Sequence, residues 1–236
     1  MLDANDLKKE LERCANPEKA KQLSRYFKTG KGEYGEGDIF LGLTSAGQRE
    51  VAKKYLDLCF DDIQKLLNSK IHEERQIALI VLRKTFEKSK NNSEKKRIFD
   101  FYLKNSKNIN NWDLVDLSAP NIIGTYLLDK DRAILYKLAK SHDLWERRIA
   151  VLATFMFIKN NEFKDSLRIA EILSNDKHDL MHKAVGWMLR EIGKRDQDKE
   201  EEFLKKHYKK MPRTMLRYAI ERFDEKKRRR YLEGKI

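Results

Sequence analysis

A repeat of about 36 residues is the feature of this 236-residue sequence that most constrains its fold. The segment ERQIAL at residues 74–79 matches ERRIAV at residues 146–151, an offset of 72, and KAVGW at residues 183–187 continues the pattern 36 residues later. A looser copy, RYAI, follows at residues 217–220. Self-similarity at a period of roughly 20 to 50 residues is typical of chains that stack one supersecondary unit on the next.

The composition indicates that the repeated unit is helical. Three prolines and ten glycines are few for a chain of this length, which argues against a fold with many tight turns. Apolar residues recur at helical spacing almost throughout, and from Ser45 onward the chain is expected to form about a dozen helices. The sequence therefore predicts an all-α fold, an α-solenoid of HEAT-like or armadillo-like helical repeats, with residues 1–236 as a single domain.

Two local features refine this expectation. The residues Ala78, Ala150, Gly186 and Ala219 fall at one equivalent position of the repeat, where neighbouring helices are expected to approach closely. The one long irregular stretch, residues 29–43, holds five of the ten glycines. It lacks the GK[ST] ending of a phosphate-binding loop and no strand precedes it, so it is interpreted as a structural connector.

The charge balance points to a polyanionic partner. Lys and Arg number 51 against 38 Asp and Glu, which gives a formal charge of +13. The hydrophobic residues make up 40% and the charged residues 38%, too apolar for a disordered basic tail and too charged for a membrane protein. Lys and Arg on the concave face of a solenoid would form a curved basic groove suited to duplex DNA.

The residues offer little for cofactor or disulfide chemistry. The two cysteines, Cys14 and Cys59, are too few for a disulfide framework and are expected to be buried thiols in a reducing, cytoplasmic environment. His178 and His182 share a helix face, yet no third ligand has matching spacing. We therefore expect no metal and no cofactor. The first residues are charged and helical in pattern, so no leader segment is expected.

One constellation has the residue types for catalysis. Trp112 and Asp116 are four residues apart and so share a helix face. Arg148 lies one period of 36 residues beyond Trp112, and Trp187 lies 39 residues beyond Arg148. By this register all four side chains would share one ridge of the solenoid.

A structural interpretation of these residues stays open. The residues equivalent to Asp116 in the other repeats are apolar. An ionised carboxylate at such a site costs free energy unless it is in an ion pair or has a functional role. A salt bridge or a helix cap would serve equally well. Trp112 and Trp187 could be core aromatics, and Trp145, at the start of an apolar helix, is predicted to be one.

Three segments resemble those of a known family: NNWDLVDLSAP at 110–120, LWERRIAVLATF at 144–155 and HKAVGWMLREIGKRD at 182–196. They are similar to segments of the bacterial DNA alkylation repair family, the HEAT-like-repeat DNA glycosylases of the AlkD type. The resemblance extends from about residue 16 to residue 223. It implies base excision repair by cleavage of the N-glycosidic bond of cationic 3- or 7-alkylpurines in double-stranded DNA, without base flipping. A monomer is the expectation for a solenoid that cradles a duplex.

The resemblance also implies roles for particular residues. The functional residues of the family fall on Trp112, Asp116, Arg148 and Trp187, with Asp116 as the central carboxylate and Arg148 at a phosphate. Tyr26 matches a tyrosine on the DNA-facing side of the family fold. The implied location is the bacterial cytoplasm, at the nucleoid when bound to DNA.

The residue types fit this chemistry independently of the resemblance. An alkylpurine that carries a positive charge leaves readily, so the enzyme needs to stabilise a cationic sugar and to place a water. A carboxylate can stabilise the cationic sugar. The interaction of a cation with an indole face contributes about 1 kcal/mol for each indole. The alternative is a HEAT-repeat scaffold without catalysis that binds nucleic acid or a protein through the same groove.

Overall fold

A computed structural model describes residues 2–236, and its regular structure in that range is helical. The α-helices are α1 (Ala4–Arg13), α2 (Pro17–Tyr26), α3 (Ser45–Lys54), α4 (Phe60–Leu67), α5 (His72–Lys88), α6 (Asn92–Lys104), α7 (Trp112–Ala119), α8 (Ala133–Ala139), α9 (Leu144–Ala153), α10 (Phe155–Lys159), α11 (Lys164–Ile172), α12 (Asp179–Gly193), α13 (Gln197–His207), α14 (Arg213–Ala219) and α15 (Glu225–Glu233). Among these residues no strand forms beyond one isolated bridge between Ile39 and Ile71. The predicted all-α class is confirmed.

The chain divides into two compact units, residues 1–118 and residues 119–236. In the first unit, α5 is central and packs against α1, α3, α4 and α6. In the second unit, α12 is central and packs against α9, α13 and α14, while α8 pairs with α9. Each unit thus has one long helix packed against several shorter ones, and the consecutive pairs α4–α5, α8–α9 and α12–α13 are in contact, as in a helical-repeat fold.

Polar residues set the helix starts in the first unit. Asp3 forms a capping box with Asp6 at the start of α1, and the Asn16 side chain accepts from the Lys19 N–H at the start of α2. Pro17 occupies the first turn of α2, where its missing N–H costs no hydrogen bond. The Thr44 hydroxyl accepts from the Gly47 N–H and so begins α3.

The small residues of the repeat lie where helices meet. Ala78, Ala150 and Ala219 are 0% exposed. A Cβ built on Gly186 would lie 2.5 Å from the Met215 carbonyl oxygen of α14. The predicted close approach at this position is therefore confirmed for α12 and α14.

The helix starts refine the repeat register. Helices α9, α12 and α14 begin at residues 144, 179 and 213, which are intervals of 35 and 34 residues. Helix α7 instead begins at residue 112, which is 40 residues after the start of α5 and 32 before that of α9. Trp112 therefore begins its helix, whereas Arg148 is the fifth residue of α9. By position in the helix the residue of α7 that matches Arg148 is Asp116.

The glycine-rich stretch connects α2 to α3 and is anchored to α5. The buried Glu73 carboxylate accepts hydrogen bonds of 2.8 to 3.2 Å from the N–H groups of Leu41, Gly42 and Leu43. Gly42 has a φ of +92°, and a Cβ there would lie 2.2 Å from the Asn16 carbonyl oxygen, so only glycine fits. The stretch is a tightly held connector.

The expectation of two buried thiols is wrong, because Cys14 and Cys59 are both free and exposed. Cys14 ends α1 and Cys59 precedes α4, and helix ends at the surface leave these side chains open to solvent. Within residues 2–236, no helix combines the length with the apolar character that a membrane crossing requires.

Candidate active site

Trp112 lies at the surface end of a stack of aromatic rings in the first unit. Its half-buried indole stacks on Phe27, with ring centroids 5.2 Å apart and planes 20° apart. Phe27 stacks in turn on Phe40 at 5.0 Å. Tyr26 meets Trp112 edge to face at 6.0 Å and is 64% exposed. The structure thus brings together two of the predicted site residues, Trp112 and Tyr26, on one aromatic surface.

Asp116 follows Trp112 by one turn of α7 and is half-buried. The phenol of Tyr102 lies beneath this helix, 2.8 Å from the Ser118 hydroxyl. Burial raises the pKa of Tyr102, and the negative charge of Asp116 acts in the same direction. The carboxylate is therefore within electrostatic reach of a buried phenol on one side of α7, while part of its surface meets solvent.

Helix α7 is short because the backbone changes from α-helical to π-helical hydrogen bonding after two turns. A π-helical turn, Pro120–Gly124, follows Ala119 directly. Pro120 lacks an N–H and so interrupts the α-helical hydrogen-bond pattern, and such turns recur at functional sites. Asp116 lies one turn before this change.

Arg148 is buried in the second unit. The residue is 5% exposed, and its Nη1 donates to the Leu180 carbonyl oxygen at 2.7 Å. Leu180 lies in the first turn of α12, so the guanidinium joins α9 to α12. Only a small part of this side chain is available to a ligand from solvent.

Trp187 is half-buried on α12. Its Nε1–H donates to a Glu191 carboxylate oxygen at 3.2 Å, and its ring lies 6.0 Å from Phe155. Burial alone would raise the pKa of Glu191, but the hydrogen bond and charge of Lys194 together with the Trp187 N–H outweigh it, so this pKa is lowered. The anionic Glu191 thus fixes the indole orientation. By contrast, Trp145 is 7% exposed and is a core residue, as predicted.

A buried polar cluster that the sequence patterns did not reveal lies beside Trp112, formed by Asp38, His72, Arg75, Asn111 and Asp113. His72 lies between Asp38 and Asp113, with Nδ1 3.1 Å from one carboxylate and Nε2 2.8 Å from the other. Arg75 donates to the second oxygen of Asp38 at 2.6 Å. The available signal was the run HEERQ at residues 72–76, five polar residues that begin a helix and are all buried.

The two histidines that share a helix face in the sequence, His178 and His182, have other partners in the structure. Within residues 2–236, no three His, Cys, Asp or Glu side chains are grouped as ligands of one ion. His178 instead accepts from the Leu180 N–H at 3.2 Å and begins α12, while His182 contacts the Asp176 carbonyl oxygen. Both histidines have structural partners.

The chain is thus a helical-repeat protein whose first unit has a half-buried indole and a half-buried carboxylate on α7, and whose second unit has a half-buried indole on α12. The family of DNA alkylation repair enzymes matches residues 7–223, and the chain belongs to this family. A solved structure described as a predicted DNA alkylation repair enzyme from Enterococcus faecalis is similar in fold, with a TM-score of 0.68 at 16% identity. The match covers 89% of this chain and 97% of that one. Among curated proteins, none matches.

Proposed function

We propose that the protein is a DNA glycosylase that hydrolyses the N-glycosidic bond of cationic 3- or 7-alkylpurines in double-stranded DNA, without base flipping. The observation that carries the proposal is the arrangement on α7, where Trp112 and Asp116 lie one turn apart and Tyr26 extends the aromatic surface. Membership in the DNA alkylation repair family supports DNA as the partner.

Asp116 is assigned the chemical role. As the bond from the anomeric carbon to the purine breaks, its electron pair leaves with the purine and neutralises the purine's positive charge. A carboxylate beside the sugar stabilises the cationic transition state, and it orients the water that adds to the anomeric carbon. The water's proton passes to solvent through Asp116, so the products are an abasic site and a neutral alkylpurine.

The indoles supply selectivity. An indole face attracts cations and can pack against a sugar, so Trp112 and Trp187 are each assigned to favour a charged alkylated nucleotide over a neutral one. Neither indole needs to read the hydrogen-bonding edge of the base. This agrees with a mechanism in which the damaged base stays in the duplex, in contrast to enzymes that extrude the base into a pocket.

Arg148 and the basic residues are assigned to DNA binding. The buried guanidinium of Arg148 is held by the Leu180 carbonyl, so it meets a phosphate only along its exposed edge. The net charge of +13 supplies affinity that does not depend on sequence. We propose that both units act as one functional domain, as a monomer in the cytoplasm, with no cofactor and no metal.

The direct test is base release. Duplex DNA treated with a methylating agent is incubated with the purified protein, and free 7-methylguanine and 3-methyladenine are quantified by chromatography. We expect release of methylated purines and none of unmodified guanine or adenine. Salt-sensitive binding of the duplex without any release above the protein-free control would overturn the proposal in favour of a scaffold.

A further inference from the structure

We propose that His72 is a positioning residue for this reaction: it bridges Asp38 and Asp113, and the bridge fixes the start of α7 and with it Trp112 and Asp116. The inference rests on the proposed glycosylase function for its catalytic consequence. Its structural part, a protonated histidine that orders α7, stands on the geometry of the first unit alone.

The bridge requires both ring nitrogens to donate. His72 is 1% exposed, and its Nδ1 and Nε2 lie 3.1 and 2.8 Å from carboxylate oxygens of Asp38 and Asp113. Ionised carboxylates only accept hydrogen bonds, so an imidazole that contacts two of them donates from both nitrogens as an imidazolium. Charge-assisted bonds of this kind are stronger than neutral ones.

The bridge reaches Trp112 through both of its chain neighbours. Asp113 follows Trp112 and takes the His72 bond directly. Asn111 precedes Trp112, donates to the same Asp38 oxygen as His72 at 3.3 Å, and accepts from the Trp112 N–H at 2.8 Å. The backbone of Trp112 is thereby held on both sides by groups that converge on His72.

A second path runs through the aromatic rings. The His72 ring stacks on Phe40 with centroids 4.5 Å apart and lies 5.1 Å from Phe27. The Phe27 ring also stacks on the Trp112 indole, with ring centroids 5.2 Å apart. The same histidine therefore supports the backbone and the ring of Trp112.

The two carboxylates beside His72 favour its protonated form, while the positive charge of Arg75 opposes it. Asp38 faces it from the connector and Asp113 from α7, while Arg75 and Gln76 of α5 donate to these carboxylates, and Lys19 of α2 lines the adjoining cleft. Burial would lower the pKa of His72, but the hydrogen bonds to Asp113 and Asp38 outweigh it and raise this pKa above its ordinary value. The adjoining cleft has a volume of about 200 Å³, and His72 and Asp113 are among the residues that line it.

The direction of the pH effect follows from the raised pKa. The bridge is complete below the ordinary histidine pKa of 6.5 and persists until the pH reaches the raised pKa. It is lost as the pH rises through the raised pKa, when one ring nitrogen stops donating and one of the two carboxylates loses its hydrogen bond from His72. We expect activity to fall on this alkaline limb, because a shift of about 1 Å at a reacting group can cost 100-fold in rate.

The test compares His72→Gln with the matched control His142→Gln, since His142 is an exposed histidine in the second unit. The amide that His72→Gln introduces can donate to only one of the two carboxylates. We expect a fall in kcat on the order of 10-fold to 100-fold with KM changed by less than about threefold, and loss of the alkaline limb. The control is expected to match the wild type.

Nuclear magnetic resonance supplies a readout that does not depend on catalysis. Indole N–H signals of the three tryptophans are assigned with Trp112→Phe and Trp187→Phe, and labelled histidine reports the protonation of His72. We expect His72 to be protonated at pH 6 and to lose its proton only above the ordinary pKa of 6.5. We also expect the Trp112 signal to shift in His72→Gln while the Trp187 signal stays. A neutral His72 or an unmoved Trp112 signal overturns the inference.

A second variant covers the case in which His72→Gln fails to fold. Asp113→Asn keeps the side-chain size but removes the charge that faces His72, and we expect it to shift the Trp112 signal and to lower kcat in the same direction. An unchanged signal and kcat in this variant contradict the inference. Wild-type protein without base release would overturn the proposed function alone, since the resonance experiment still decides the role of His72.

Discussion

At the scale of single residues, two buried ionisable side chains have opposite environments. His72 has a carboxylate at each ring nitrogen, so its charge is compensated. Glu200 of α13 is 1% exposed, lies against Gly193, and has an oxygen, Oε1, without a hydrogen-bond partner. Burial, together with repulsion from Glu201, raises the pKa of Glu200 to about 8. The folded protein therefore binds a proton at Glu200 at neutral pH.

Glu200→Gln is expected to change the pH dependence of stability. Because the folded state holds the Glu200 proton more tightly than the unfolded state, the free energy of unfolding of the wild type falls as the pH rises from about 4.5 to about 8. The amide cannot ionise, so the variant avoids this loss and gains roughly 1–3 kcal/mol over the wild type at pH 8 relative to pH 5.

Urea unfolding at pH 5, 7 and 8 measures this effect. Glu12→Gln, which changes an exposed glutamate of α1, serves as the control and is expected to follow the wild type. Equal pH dependence in Glu200→Gln and the wild type would contradict the assigned environment of Glu200.

At the scale of elements, the local sequence pattern predicted which segments form helices. It did not predict which residues distant in the sequence those helices contact. The spacing of apolar residues predicted helices, and the small residue at position 186 predicted a close helix contact. The polar start of α5 was not interpretable from sequence, because its partners Asp38 and Asp113 are 34 and 41 residues away along the chain. The predicted ridge of Trp112, Asp116, Arg148 and Trp187 assumed a constant period. Helix α7 instead begins 40 residues after the start of α5, about one turn later than that period requires.

Gly186→Ala is expected to destabilise the second unit. The added methyl group would lie 2.5 Å from the Met215 carbonyl oxygen and 2.5 Å from the Tyr218 Cβ, so α12 and α14 must separate. Overpacking of this kind costs roughly 1–3 kcal/mol, which exceeds the gain in helix propensity from glycine to alanine.

Thermal unfolding followed by circular dichroism checks this expectation. Gly47→Ala is the control, since a Cβ at that position of α3 meets only the Thr44 hydroxyl, at 3.4 Å. We expect a lower Tm for Gly186→Ala and an unchanged or higher Tm for Gly47→Ala. A Tm for Gly186→Ala at or above that of the wild type would show that the two helices are not in tight contact there.

At the scale of the whole molecule, charge has two separate tasks in the proposed mechanism. The net charge of +13 supplies the attraction to DNA in this mechanism. The excess of Lys and Arg over Asp and Glu was evident from the composition alone. Asp116 has the opposite sign, so it repels phosphate but stabilises a cationic sugar. The sequence predicted the helical class and, through its motifs, the family, which residues 7–223 confirm. The division into two units and the burial of Arg148 depend on packing that no local pattern encodes.

The most direct test of the central claim is the single-turnover rate of 7-methylguanine release by Asp116→Asn, measured beside duplex affinity. Asp198→Asn, at an exposed acid of α13, changes the net charge equally and is the control. We expect Asp116→Asn to lose about 100-fold or more in rate while binding DNA as tightly as the control. Full activity in Asp116→Asn would contradict the assignment of the chemistry to this carboxylate.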